Sequence, residues 1–330
     1  MKKLLILILS VCILLSFAGC SGLENILGGD LGGGQVILNP SGEDKGIKRV
    51  DCDTLDLTVE IDTEHRSLGT KEYYRFINLN KTEQKVYLAI EKAVKIADIS
   101  VDLTGLSINY ERAMEIAQIF MADCPQYFYM SKYINATHYE GSEDAVELRL
   151  YYTDGKVTDS MEGEELTSQA DRDIIEKQIE EFNDIVEEIL EEIPVYYSDE
   201  EMVKAIHDYI VENTEYDETA AALVDTDDMP PAYTAYGALC EGMAVCEGYA
   251  KAFQFLCYSL GINCAQVYGS GDGEPHMWNL VQIDGKWYHT DLTWDDPVGG
   301  DGRVYYDYYN LSWNEMKKDH VMDDNFLKLP

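Results

Sequence analysis

His276-Met277-Trp278-Asn279-Leu280-Val281-Gln282-Ile283-Asp284-Gly285-Lys286-Trp287-Tyr288-His289-Thr290-Asp291-Leu292-Thr293 is two runs of strand formers joined by Asp-Gly. That dipeptide favours a two-residue hairpin turn, because both central positions need positive φ. The turn sets the register: Ile283 pairs with Lys286, Trp278 falls opposite Asp291, and His276 falls opposite Thr293. Side chains two apart share a face of a strand, so His276 and Asp291 become diagonal neighbours, within reach of one another as imidazole and carboxylate.

Upstream of this hairpin, Tyr249, Ala250, Phe253, Leu256, Cys257 and Leu260 recur at helical spacing, and Gly261 follows as a C-terminal stop. The spacing predicts a helix over 247–260 with Cys246 at its N-terminus. Unpaired N–H groups and the helix dipole there favour an anion, so Cys246 is the cysteine whose thiolate is promoted. Cys257 and Cys264 fall at apolar positions and read as small hydrophobic residues. A nucleophilic thiol needs a base, and the base needs a group to orient it.

The segments Ala244-Val245-Cys246-Glu247-Gly248-Tyr249-Ala250, His276-Met277-Trp278-Asn279 and Asp291-Leu292-Thr293-Trp294-Asp295-Asp296-Pro297 resemble, in order and spacing, three core motifs of the transglutaminase-like superfamily. His207 to Ile210, Asn213 to Asp217 and Tyr306 to His320 extend the likeness to its bacterial members, over residues 195–330. The resemblance implies an α+β, papain-like core, with a central helix carrying the cysteine against an antiparallel sheet. It also implies Cys246 as nucleophile, His276 as base and later acid, and Asp291 as the residue that holds the imidazole. Two departures stand out: Pro275-His276-Met277 replaces the commoner Gly-His-Ala, and Cys240 is a second thiol close to Cys246. Trp278, Trp294 and Tyr249 are candidates to line a substrate groove. His207, beside the apolar stripe of a helix over 198–213, reads as a packing residue.

The rest of the chain supplies context. Of 330 residues, 46% are hydrophobic and 26% charged, an ordinary globular mixture. The 62 Asp and Glu against 25 Lys and Arg give a net charge of −37, which repels phosphate backbones and excludes nucleic acid as a partner. Residues 1–19 combine Lys2 and Lys3, an apolar run and a small-residue end, which resembles a lipoprotein signal with Cys20 as the lipidated residue. A glycine-rich tether is expected over 20–50, a small α+β domain over 51–165, and the transglutaminase-like domain over 166–330.

In that first domain, strands are expected at 55–61, 126–134 and 146–152, and helices at 81–97 and 110–122. A long acidic helix follows over 168–192. No cysteine spacing matches a structural zinc site, and no cofactor is expected. Calcium is the one ion left open, at Asp225 to Asp228 and at Asp295-Asp296, neither of which has the spacing of a twelve-residue calcium loop. The expected activity is acyl transfer at a peptide or carboxamide bond through a Cys246 thioester. The expected protein is thus a cysteine peptidase or amidase, lipid-anchored on the outside of a bacterial cell membrane, with peptide or protein substrates that include cell-wall peptide. The alternatives are a protein-crosslinking transglutaminase and a non-catalytic module that binds peptide or glycan.

Overall fold

The computed structural model describes residues 35–38, 57–153, 169–222, 230–296, 303–323 and 329. The signal segment with Cys20, the acidic run Asp225 to Asp228 and the expected boundary near 165 lie outside them. Among the described residues no helix is long and apolar enough to cross a membrane.

The amino-terminal part is a sheet with two long helices and the short helix Tyr74–Ile77. Strands β1 (Gln35–Leu38), β2 (Ser100–Asp102), β3 (Met130–Tyr139) and β4 (Ala145–Tyr152) lie in the order β1-β3-β4-β2. Helix α1 (Lys81–Val94) starts at Asn80, whose side chain accepts the N–H groups of Thr82 and Glu83 while the Glu83 side chain accepts the Asn80 N–H. Helix α2 (Tyr110–Asp123) is capped by Asn109, which accepts the N–H groups of Glu111 and Arg112, and Pro125 follows it.

The expectations differ from this arrangement: they lack β2, and the strand expected at 126–134 runs over Met130–Tyr139. Residues 57–61, read as a strand, join no sheet: the Leu57 N–H bonds to the Lys95 carbonyl, and the Leu57 carbonyl accepts the Tyr129 hydroxyl at 2.7 Å. The alternation there places Leu57, Val59 and Ile61 on the core, and alternation alone cannot distinguish a ladder from an extended strap. Conversely, Gln35–Leu38, inside the expected tether, pairs in parallel with β3.

The carboxy-terminal part is built around one helix. Helix α3 (Gln169–Glu191) leads to α4 (Asp199–Asn213), which opens on a capping box between Ser198 and Glu201. The short strands β5 (Glu215–Tyr216) and β6 (Met243–Ala244) pair in parallel and deliver the chain to α5 (Cys246–Ser259). Every residue of α5 except Lys251 is buried, as expected of a helix covered on all sides. Strands β7 (Cys264–Gly271), β8 (Glu274–Ile283), β9 (Lys286–Thr290) and β10 (His320–Met322) form an antiparallel sheet in the order β10-β7-β8-β9. Asn279 on β8 donates to the Ala250 carbonyl of α5 at 2.9 Å, one of the ties between helix and sheet.

Residues on both sides of position 165 share one core. Tyr73 stacks on Tyr258 at 4.2 Å, and Phe128 packs on both Phe182 and Tyr236. Arg75, buried, pairs with Asp123 at 2.8 Å and donates to the Gln266 carbonyl of β7 at 2.8 Å. Removing either partner would strand a charge away from water, so this pair locks the first helical layer to the second sheet.

Candidate active site

The thiol sits at the start of α5. Val245 precedes Cys246 as the N-cap and offers no side-chain cap, and the positive end of the helix dipole there favours an anion. The Val245 N–H itself bonds to the Ala232 carbonyl at 2.9 Å. A Cβ at Gly248 would lie 2.4 Å from that same carbonyl oxygen, so only glycine lets the first turn approach the segment 231–234. Lys251 donates to the Tyr233 carbonyl from the next turn.

The hairpin holds the imidazole. Asp284 and Gly285 both have positive φ, 50° and 76°, and Ile283 pairs with Lys286 through to Asn279 with Thr290, the register the dipeptide predicts. The second strand stops earlier than expected, at Thr290 rather than Thr293. There Asp291 becomes the N-cap of a helical turn, α6 (Leu292–Asp295), and its Oδ1 accepts the N–H groups of Thr293 at 3.1 Å and Trp294 at 3.3 Å. Its other oxygen, Oδ2, lies 2.6 Å from His276 Nε2 and 3.1 Å from Nε2 of His320. One buried carboxylate thus caps a helix with one oxygen and meets two imidazoles with the other. Burial by itself would raise the Asp291 pKa, but the charge and hydrogen bond of His276, aided by His320, outweigh it and hold the carboxyl at about 2.

The contact engages Nε2 of His276 and leaves Nδ1 for other chemistry. The turn carrying Asp291 is tied to the first turn of α5, since the Tyr249 hydroxyl lies 2.7 Å from Asp296 Oδ2 and 3.0 Å from the Thr214 carbonyl. Trp294 is half-buried, 5.6 Å from the His276 ring, and closes over Gly271, where a Cβ would come within 2.7 Å of the indole.

Two of the three groove candidates are core residues. Trp278 is 1% exposed, packs with Val267, Leu280 and Met316, and spends its indole N–H on His289 Nδ1 at 3.0 Å. Tyr249 is also 1% exposed, its hydroxyl committed as above. Neither can line an open groove, because in this sheet and helix the aromatic bulk fills the interior beneath the site. Trp294 alone of the three keeps partial exposure.

The remaining thiols are set apart. Cys240 is not joined to Cys246 by a disulfide, and burial, with Glu181 and Glu241 nearby, pushes its pKa up to about 12. Cys257 and Cys264 are fully buried.

His276, Asp291 and His320 each offer a ligand atom, all within 4.8 Å of one another. Two ligands of a tetrahedral ion at about 2.0 Å sit about 3.3 Å apart, whereas His276 Nε2 and Asp291 Oδ2 are at hydrogen-bond separation, so the cluster as it stands fits no ion. The Asp295 and Asp296 carboxylates are turned to His207, to the Tyr308 N–H and to Tyr249, not to a common point.

Sequence reasoning missed His320. It arrives on β10, which pairs with β7 across a long sequence separation, His320 opposite Gly271. No turn signal links it to the hairpin. It also missed that His207 reaches Asp295, joining α4 to α6 at 3.1 Å.

Residues 187–292 match the family model of the transglutaminase-like superfamily. Kyphoscoliosis peptidase of Mus musculus is 33% identical over 124 residues, covering 34% of this chain and 18% of that protein. The Homo sapiens kyphoscoliosis peptidase is 32% identical over the same length, with the same coverage. The chain therefore spans under a fifth of the curated relatives it matches. Among solved structures, a TGase is similar with a TM-score of 0.33 and 21% identity, over 42% of this chain and 37% of that one.

Proposed function

We propose that the chain, whose residues 187–292 match the transglutaminase-like superfamily, transfers acyl groups from peptide or carboxamide bonds through a thioester on Cys246, and that water is the usual acceptor. The observation that carries the reading is the 2.6 Å contact between His276 and Asp291 on the hairpin that packs against the helix headed by Cys246.

The steps are those of a thiol served by an imidazole base that a carboxylate holds. Asp291 accepts the Nε2–H of His276, which fixes the tautomer with Nδ1 as base. Nδ1 takes the thiol proton, and the thiolate attacks the carbonyl carbon. A C–S bond forms as the carbonyl π pair moves to oxygen, where first-turn N–H groups of α5 stabilise it. The intermediate collapses, the C–N bond breaks, and the amine leaves with the proton from His276. Water then attacks the thioester, His276 takes its proton, and the acid departs as the thiol is restored. Trp294, beside His276, is placed to flank the incoming chain. The setting proposed for this activity is the outer face of a bacterial membrane, with the protein held by a lipidated Cys20 and acting on peptide or protein chains, cell-wall peptide among them. No cofactor enters this mechanism.

The test is incubation of the purified chain with blocked peptides, with and without a primary amine, followed by mass spectrometry. Cleavage products, and a hydroxamate when hydroxylamine is added, are expected for the wild type and lost in Cys246→Ala. Amine-coupled product in place of acid would assign the crosslinking alternative. Absence of every product, with Cys246 alkylated no faster than a simple thiol, would refute acyl transfer.

A further inference from the structure

His320 lies outside the three motifs, yet its ring is more closely surrounded than that of His276. Trp294 lies 4.3 Å from it, Trp278 meets it edge-on at 4.9 Å and Tyr308 lies at 5.5 Å. Both of its nitrogens face carboxylates: Nδ1 is 2.7 Å from Asp319 Oδ1 and Nε2 is 3.1 Å from Asp291 Oδ2. An ionised carboxylate only accepts hydrogen bonds, and a neutral imidazole has a single N–H. A neutral His320 would therefore set a lone pair against one of the two oxygens. Only the doubly protonated ring satisfies both.

The surroundings agree on sign. The titratable groups facing His320 are Asp319 on its own segment, Asp291 after β9, His276 on β8, His289 on β9 and Tyr308. His289 accepts from the Trp278 indole through Nδ1, so it is neutral, and burial with the nearby His320 pushes its pKa down to about 4. Tyr308 donates its hydroxyl to the second oxygen of Asp319 at 2.9 Å, which holds that carboxylate against the ring. Burial opposes charge on His320, but its bonds to Asp291 and Asp319 outweigh this and raise its pKa above the ordinary histidine value.

We propose that His320 is a standing imidazolium and a positioning residue: it holds Asp291 Oδ2 beside His276 and shares the charge that Asp291 presents to the His276 ring. The positioning part rests on the reading of Cys246, His276 and Asp291 as an acyl-transfer set; the charge of His320 does not. With Oδ1 held by two helix N–H groups and Oδ2 by His320, the carboxylate cannot swing away while His276 cycles between proton states. The neighbouring cation also favours the thiolate, so the working range of the pair moves to lower pH.

Two measurements on the full chain test this. Nitrogen-15 NMR of the histidine rings, with His320 assigned through His320→Gln, is expected to show both His320 nitrogens protonated at pH 7; one unprotonated nitrogen would overturn the charge. The second is the pH profile of Cys246 alkylation in wild type, His276→Ala, His320→Gln and Asp319→Asn. Gln retains a donor for Asp291 without the charge, so its profile should move by about one unit to higher pH, with a smaller shift in the same direction for Asp319→Asn. Profiles that coincide with wild type would overturn the shared charge, and Asp319→Asn supplies the same test if His320→Gln fails to fold. Equal labelling of wild type and His276→Ala would instead sink the acyl-transfer set and the positioning role with it, while the NMR arm still decides the charge.

Discussion

His207 Nε2 and Asp295 Oδ2 lie 3.1 Å apart with both side chains fully buried, fastening α4 to the helical turn that Asp291 begins. His207 Nδ1 also faces Asp208, at 3.3 Å. Two carboxylates on two ring nitrogens again demand two N–H donors. Burial opposes that charge, but the bonds to Asp208 and Asp295 prevail and raise the His207 pKa above 6.5.

His207→Ala should therefore destabilise the fold by about 3 kcal/mol, by leaving Asp295 buried without its partner. A raised histidine pKa contributes stability that is complete below the unfolded value of 6.5 and is lost as pH rises through the folded value. Urea unfolding of wild type and variant should show the largest gap near pH 5.5 and a smaller one near pH 9. A gap that stays constant, or that widens toward pH 9, would mean that folding does not raise the His207 pKa.

Asp291 gives the opposite sign. Its pKa falls from 3.8 to about 2 on folding, so its contribution is present above pH 3.8 and disappears as pH drops through 2, amounting to about 2 kcal/mol. Asp291→Asn should flatten the acid limb of the stability profile by that amount. Because Asn cannot orient His276 as an anion does, Cys246-dependent turnover should also fall by about a hundredfold or more. Unfolding from pH 2 to 5 and initial rates at pH 7 check the two halves.

Gly248→Ala tests the seat of the thiol. The new Cβ would lie 2.4 Å from the Ala232 backbone oxygen, a contact that no side-chain rotation relieves. The helix start must shift, at a cost of about 1–3 kcal/mol, visible as a lower melting temperature. A variant with unchanged melting would show that segment 231–234 yields freely.

Cys240→Ser should leave turnover and the alkylation rate of Cys246 unchanged. Burial, with Glu181 and Glu241 close by, holds the Cys240 thiol at a pKa of about 12, so the thiolate is scarce at pH 8. Peptide mapping after brief iodoacetamide treatment should find Cys246 labelled before Cys240. Early labelling of Cys240, the more exposed of the two thiols, would mean that access rather than thiolate content sets the order.

Local pattern was enough wherever the deciding interaction was local. Asp284-Gly285 determined its own turn and the register from Ile283–Lys286 to Asn279–Thr290, because a two-residue loop admits one pairing. The expected pairs of Trp278 with Asp291 and His276 with Thr293 do not form, since Asp291 leaves the ladder to cap α6 and gives its N–H to the Tyr308 carbonyl. Helical spacing located α5 with Cys246 at its head, and capping boxes at Asn80 and Ser198 opened α1 and α4 where expected. Tertiary structure decided the rest. Alternation over 57–61 could not reveal whether a neighbouring strand existed, and aromatic residues near the site looked alike until packing buried Trp278 and Tyr249 and left Trp294 partly exposed. The second imidazole on Asp291 was beyond any local reading, since His320 reaches it only through the pairing of β10 with β7. A sequence determines the conformations its neighbours impose; which distant charges share one oxygen is settled when the sheet closes.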